Sequence, residues 1–278
     1  MSCVYKIREG TASYTDTEKK LADFILKHIT EVTLFSAQVL AEQVGVSAAA
    51  IIRFSQKLGY SGFTALKVDL AKGDTAEIMS FDDMIEQSDT MNMVLKKAEN
   101  LNNMLQNQAY RLINSASLDK AVDALLCCQT IYLFGIGESG IVCMDLMQKL
   151  TRINRRAVYH SDFHYQLAAA AHMTDKDVAI AVSYSGSTKE INAAMHLAND
   201  LGATSIAITQ FKKSPLTKQA DILLYIPSAE RDLRLGAIAS RNASLIVTDL
   251  LYLGLAKSDT DHTKECLVKT REAIKRLK

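Results

Sequence analysis

From residue 130 onward the chain alternates short, wholly apolar runs with stretches of helical periodicity, a pattern that few folds accept. The runs cover residues 131–134, 157–159, 178–182, 205–209 and 222–226, and helical patterns at 140–151, 163–171, 188–201 and 215–220 separate most of them. A strand with one wet face alternates apolar and polar residues; a strand apolar throughout has to be covered on both sides. Strand and helix in alternation supply that cover, so the spacing predicts a doubly wound, five-stranded parallel sheet. Pro215 follows Ser214 as a first-turn helix residue, and Pro227 closes the last run. Two longer helical patterns, 236–256 and 263–277, finish the chain.

Residues 15–72 read differently, as short helices only. Thr15 and Glu18 have capping-box spacing, and Leu21, Phe24, Ile25, His28 and Ile29 follow as one stripe. Ser36 caps the next helix and Gly45 ends it; Ser47 caps a third, which Gly59 ends, and a fourth runs over 63–72. Ala41 is small enough for a close crossing, Gly45 can take positive φ in the turn, and Ile51 and Phe54 are apolar where two helices must press together. The pattern from Ala37 to Gly59 resembles a DNA-binding helix-turn-helix, whose second helix enters the major groove. The groove-facing residues are then Ser47, Ala48, Ala49, Ile52, Arg53, Gln56 and Lys57. Arg53 has the fork to read guanine and Gln56 the amide to read adenine, whereas Ser47, Lys57 and Lys67 suit phosphates.

The fold class expected for the whole is thus α/β, an all-α helix-turn-helix domain followed by the parallel sheet. A net charge of +1 excludes a basic nucleic-acid coat, but it hides a local asymmetry. Residues 47–72 hold four cations against one anion, and residues 73–95 hold six anions and no Lys or Arg. We therefore expect a DNA-binding domain over 1–73, an acidic linker over 74–95, and a second domain over 96–278 that opens with two packing helices. With 48% hydrophobic residues and no apolar window of eighteen, the chain has a core and no transmembrane span, so no membrane partner is expected. The N-terminus lacks an export signal, and five cysteines without CxxC spacing suit reduced thiols in the cytoplasm.

Two loops carry the chemistry. Gly135-Ile-Gly-Glu-Ser-Gly140 follows the first strand and opens a helix, as a dinucleotide fingerprint would, and Asp162 lies where it could meet a ribose. The loop after the third strand, Ser183-Tyr-Ser-Gly-Ser-Thr188, packs four hydroxyls into six residues and runs straight into another helix. Hydroxyls, backbone amides and a helix dipole together suit the three oxygens of a phosphate monoester. His160, Asp162 and His164 lack a third metal ligand at standard spacing, so no metal and no cofactor are expected.

The GxGxS turn and the SxSGxT loop resemble a sugar isomerase (SIS) domain, and RFSQKLGYSGFTALK resembles the end of the helix-turn-helix of RpiR-type transcriptional regulators. The two in this order span about residues 15–256, and SRNASLIVTDLLY fits as well. The resemblance implies a dimerising sheet that binds a phosphorylated sugar at the carboxyl ends of its strands. Ser139, Ser183, Ser185, Gly186, Ser187 and Thr188 would hold the phosphate, and Glu138, His164, Glu230 and Arg241 the sugar hydroxyls. It implies a regulator, not an enzyme: a repressor of a sugar or amino-sugar catabolic operon. Its partners would be double-stranded operator DNA, a phosphorylated effector (N-acetylated amino-sugar 6-phosphates are within the family's range) and a second copy in a homodimer or higher homo-oligomer. Two other readings stay open on the residues alone, an aldose–ketose phosphate isomerase using Glu190, Glu230 or His164 as base, and an NAD(H)-sensing regulator.

Overall fold

A computed structural model describes residues 3–10, 14–71, 85–228 and 235–277. The chain divides into two compact units, Met1–Glu77 and Ile78–Lys278. The expected boundary at 73, the first half of the acidic linker, and Glu230 lie outside the described residues.

The first unit is helical: α1 (Cys3–Glu9), α2 (Asp16–Lys27), α3 (Ile29–Leu34), α4 (Ala37–Val44), α5 (Ala48–Lys57) and α6 (Phe63–Ala71). Thr15 and Glu18 form both halves of the capping box, and the Ser36 and Ser47 hydroxyls accept from Val39 and Ala50 N–H. Leu40, Ala41, Ile51 and Phe54 are buried in one core with Leu21, Ile25, Leu66 and Leu70. Two elements differ from the sequence reading. The stripe Leu21–Ile29 is split, because His28 leaves helical geometry (φ −125°) and ends α2 with its N–H on Phe24 O. Residues 3–9 form α1, which adds Cys3, Val4 and Ile7 to the core.

In the second unit α7 (Met91–Leu112) and α8 (Ser115–Cys127) precede β1 (Ile131–Phe134), α9 (Glu138–Arg152), β2 (Ala157–Val158), α10 (Phe163–Ala170), β3 (Val178–Val182), α11 (Lys189–Asp200), β4 (Thr204–Gln210), α12 (Pro215–Gln219), β5 (Ile222–Ile226), α13 (Ile238–Ser258) and α14 (Thr260–Lys275). The sheet is parallel throughout, in the order β2-β1-β3-β4-β5. Its two faces differ in bulk. Ile131, Leu133, Val178, Ile180, Val182, Ile206 and Ile208 pack with α8, α9 and α13, whereas Ala179, Ala181 and Ala207 meet α10, α11 and α12. Small strand residues on that second face let α11 approach with its own Ala194 and Ala198. The stripe expected on α7, Val94, Ala98, Leu101 and Leu105, is buried only in its second half: Leu101 and Leu105 are covered, whereas Val94 is half-buried and Ala98 exposed. All five cysteines are free thiols, and among the described residues no helix is long and apolar enough to cross a membrane.

In this strand order the chain runs outward from β1 to β2 and then returns past β1 to β3. Helices therefore leave β1 and β3 on opposite faces, and their carboxyl ends open a crevice between them.

Candidate functional site

The loops after β1 and β3 meet at that crevice, around a cavity of about 210 Å3. Gly137, Glu138 and Ser139 line it from the first loop, and Ser183, Tyr184, Ser185 and Thr188 from the second. Ser240, Arg241 and Ser244 close it from α13. Arg241 Nη1 lies 3.2 Å from Glu138 Oε2, so an ion pair at the cavity joins two residues singled out as sugar contacts. His164 is exposed and is not among the lining residues; nor are Gly186 and Ser187.

The helices that begin at the cavity start in an unusual way. In the second unit α7, α8, α10, α12 and α14 each have an N-cap side chain accepting a backbone N–H: Thr90, Asn114, Asp162, Ser214 and Asp259. α9 and α11, which open on the cavity, have none: their N-caps are Gly137 and Thr188. The Thr188 hydroxyl lies instead 3.3 Å from that of Ser183, which is only 3% exposed. α13 starts from Ala237, a non-glycine residue in the left-handed region (φ 50°) that also lines the cavity. The first-turn amides of α9 and α11 thus carry the partial positive charge of a helix N-terminus toward one space, without a side-chain acceptor from their own caps.

Packing fixes the loops behind this arrangement. Gly186 has φ 63°, and a Cβ there would stand 2.2 Å from Ser214 Oγ, so only glycine fits. A Cβ on Gly135 would meet Ser139 O and Cys143 Sγ, each at 2.7 Å. Cys143 is fully covered, and burial pushes its thiol well above the ordinary range, so it is a packing residue and not a nucleophile. Asp162 caps α10, its Oδ1 accepting from His164 N–H at 2.7 Å, and it is not among the residues that line the cavity.

In the first unit, Gly45 takes φ 73° between α4 and α5, as the turn requires. Ala49, Ile52, Arg53 and Gln56 recur at helical spacing on the exposed side of α5, with Ile52 43% exposed. Ser47 caps that helix, and Ala48 is half-buried against the core. The two lysines assigned to phosphates have internal partners. Lys57 Nζ lies 2.7 Å from Glu18 Oε2, and Lys67 Nζ donates to Phe35 O at 2.7 Å. The Lys57 hydrogen bond in turn holds the Glu18 carboxyl below its usual range.

Residues 124–254 match the SIS domain, and residues 1–77 match the helix-turn-helix domain of the rpiR family. An uncharacterized HTH-type transcriptional regulator of Caldanaerobacter subterraneus subsp. tengcongensis is 37% identical over 268 residues, 96% of this chain and 95% of that one. The chain belongs to the RpiR-type helix-turn-helix regulators that carry a SIS domain. Among solved structures, the Vibrio vulnificus NanR protein complexed with ManNAc-6P is similar over 99% of both chains, at 25% identity and a TM-score of 0.64. The sugar isomerase domain of an RpiR transcription factor from Sphaerobacter thermophilus, 18% identical, shares the fold over 64% of this chain and 98% of its own, with a TM-score of 0.58.

As an RpiR-type protein the chain is a transcriptional regulator rather than an isomerase, the reading its relative's name also carries. Among the described residues no group of three His, Cys, Asp or Glu is placed to hold a metal ion. Four further residues of this regulator's cavity and its loops escaped the sequence reading. Ser240 and Ser244 stand at i, i+4 on α13, so their shared face is visible in the sequence, but only Arg241 of that helix was singled out as a site residue. Gln166 and Asn192 touch the loops from behind, and no motif marks them.

Proposed function

We propose that this RpiR-type regulator senses a phosphorylated sugar in the cavity between β1 and β3, and that occupancy of the cavity alters how α5 binds operator DNA. The observation that carries this reading is the pairing of two helix N-termini without side-chain caps on a space lined by Ser139, Ser183, Ser185 and Thr188. A phosphate dianion accepts many hydrogen bonds at once and is favoured by two converging helix dipoles. Gly186 and Ser187 shape the second loop: Ser185 Oγ accepts from Ser187 N–H at 3.2 Å. Glu138 and Arg241 are the polar groups nearest for sugar hydroxyls, and His164 and Glu230 complete the candidate set. The NanR structure holds ManNAc-6P, which makes N-acetylated amino-sugar 6-phosphates the first effectors to test.

On the DNA side Arg53 and Gln56 read bases, Ala48, Ala49 and Ile52 offer methyl contacts, and Ser47, Lys57 and Lys67 approach the backbone. The regulator acts in the cytoplasm as a repressor of a sugar or amino-sugar catabolic operon. It does so as a homodimer, which matches a two-fold operator.

A thermal-shift screen over pentose, hexose and N-acetylhexosamine phosphates tests the reading, followed by an anisotropy titration of DNA with the best ligand at fixed salt. The melting temperature is expected to rise with the logarithm of ligand concentration, and DNA affinity to change in step. A screen in which no phosphorylated sugar moves either quantity, or in which NADH alone does, overturns it.

A further inference from the structure

Two carboxamide side chains hold the backs of the cavity loops. Gln166, on α10 and 1% exposed, pairs with both polar groups of Gly135: its Nε2 donates to Gly135 O at 2.9 Å, and its Oε1 accepts from Gly135 N–H at 3.1 Å. The same Nε2 donates to His160 O at 2.7 Å. On α11, Asn192 Nδ2 donates to Gly186 O at 3.2 Å and to Thr188 O at 2.8 Å, while its Oδ1 accepts from Gln219 Nε2 at 2.6 Å. Neither carboxamide lines the cavity.

We propose that Gln166 and Asn192 are positioning residues that tie back the carbonyl oxygens of the two loops and so leave their amide and hydroxyl donors facing the anion. This inference rests on the sugar-phosphate reading above. A loop peptide can turn either its N–H or its oxygen inward, and an inward oxygen opposes a phosphate. Gln166 removes that choice at Gly135, because gripping both the N–H and the carbonyl oxygen of one residue fixes its orientation. Asn192 does the same for the second loop by drawing two carbonyls, two residues apart, onto one NH2 group. A carboxamide supplies donor and acceptor from one planar, uncharged group. Gln219 extends the second tie to α12, whose Leu216 N–H also donates to Gly186 O at 3.1 Å.

The test is a set of double-mutant cycles on the full chain, read by calorimetric titration with inorganic phosphate and with N-acetylmannosamine 6-phosphate. Gln166→Met and Asn192→Leu remove the ties without adding charge, and each is expected to raise Kd about tenfold through its lost hydrogen bonds. Each is then repeated in Ser139→Ala and in Thr188→Ala backgrounds. Gln166→Met should lose most of its effect when Ser139 is already absent and keep it in full when Thr188 is absent; Asn192→Leu should show the reverse. Loss by the same factor in both backgrounds marks general destabilisation and overturns the assignment, as does wild-type affinity in both single variants. Should Gln166→Met fail to fold, Gln166→Glu carries the same cycle. A wild-type chain that binds neither probe sinks the sugar-phosphate reading itself, a result distinct from tight wild-type binding with indifferent variants.

Discussion

Lys57 Nζ stands 2.7 and 2.9 Å from the two carboxylate oxygens of Glu18 and 5.3 Å from the Tyr14 ring, so its charge reaches a DNA phosphate only if Glu18 gives it up. Glu18→Gln keeps the capping-box geometry while discarding the charge. DNA affinity is expected to tighten, and the slope of log K against log salt to steepen by about 0.9, the value for one added phosphate contact. Superimposable salt titrations would show that Lys57 serves only to seat α5. The same pair has a pH signature. The Glu18 carboxyl is depressed below its ordinary 4.5, first by its hydrogen bond to Lys57. Its contribution to stability is therefore complete above about that pH and fades as pH falls through the lower folded value, so the acid limb of a melting-temperature profile should be shallower in Glu18→Gln. Arg53, exposed on α5, is the opposite case: Arg53→Ala should cost about 1–3 kcal/mol of DNA affinity and relax specificity at one base pair. Uniform weakening across sequences, measured on a panel of single-base operator variants, would place Arg53 on the backbone instead. At the cavity, Gly186→Ala forces a Cβ to within 2.2 Å of Ser214 Oγ at a left-handed φ of 63°. Strain of about 1–3 kcal/mol should lower the melting temperature and weaken phosphate binding together. Wild-type values for both would mean the loop relaxes freely.

At the scale of the element, α5 depends on its first turn, where Ser47 Oγ accepts from Ala50 N–H at 3.2 Å. Ser47→Ala should cost about 1 kcal/mol by thermal unfolding and loosen DNA binding as the helix frays at the end that meets the groove. Such caps, like the apolar strands, are legible in a sequence because the residues that act are neighbours in the chain. The loops after β1 and β3 were legible for the same reason, since each packs its glycines and hydroxyls into a few consecutive positions. What stayed hidden depends on distance or on partners. The α1 helix has seven residues and only Cys3, Val4 and Ile7 to signal it, too few to establish a period. The break at His28 carries no glycine or proline, so the stripe runs across it unmarked. The α7 stripe begins with Val94 and Ala98 although neither is buried, because periodicity records an apolar face and not what covers it. Gln166 meets Gly135 across 31 positions, and nothing local to either residue announces the other.

For the whole molecule, regulation means a free energy shared between cavity and DNA, and it has to pass through elements touching both the cavity and the rest of the second unit. α13 is such an element. Arg241 reaches the cavity ion pair with Glu138, and its neighbour Asn242 donates through Nδ2 to Asn102 Oδ1 on α7 at 3.0 Å. α7 is the first described helix of the second unit. On the sugar-phosphate reading proposed above, an effector that displaced Arg241 would act on a helix whose adjacent residue is bonded to α7. Coupling of this kind typically changes affinity by 5–150-fold, and it is reciprocal: DNA must shift effector affinity by the factor by which effector shifts DNA affinity. Asn242→Ala removes this hydrogen bond to α7 and leaves the cavity lining intact. Effector affinity in the absence of DNA should stay within about twofold of wild type, since additivity errors between separate contacts are of that size. The ratio of DNA affinities with and without effector should fall toward one, read by anisotropy in a single salt condition. A wild-type ratio in Asn242→Ala would mean that the signal leaves the cavity by another route, such as the far side of α9.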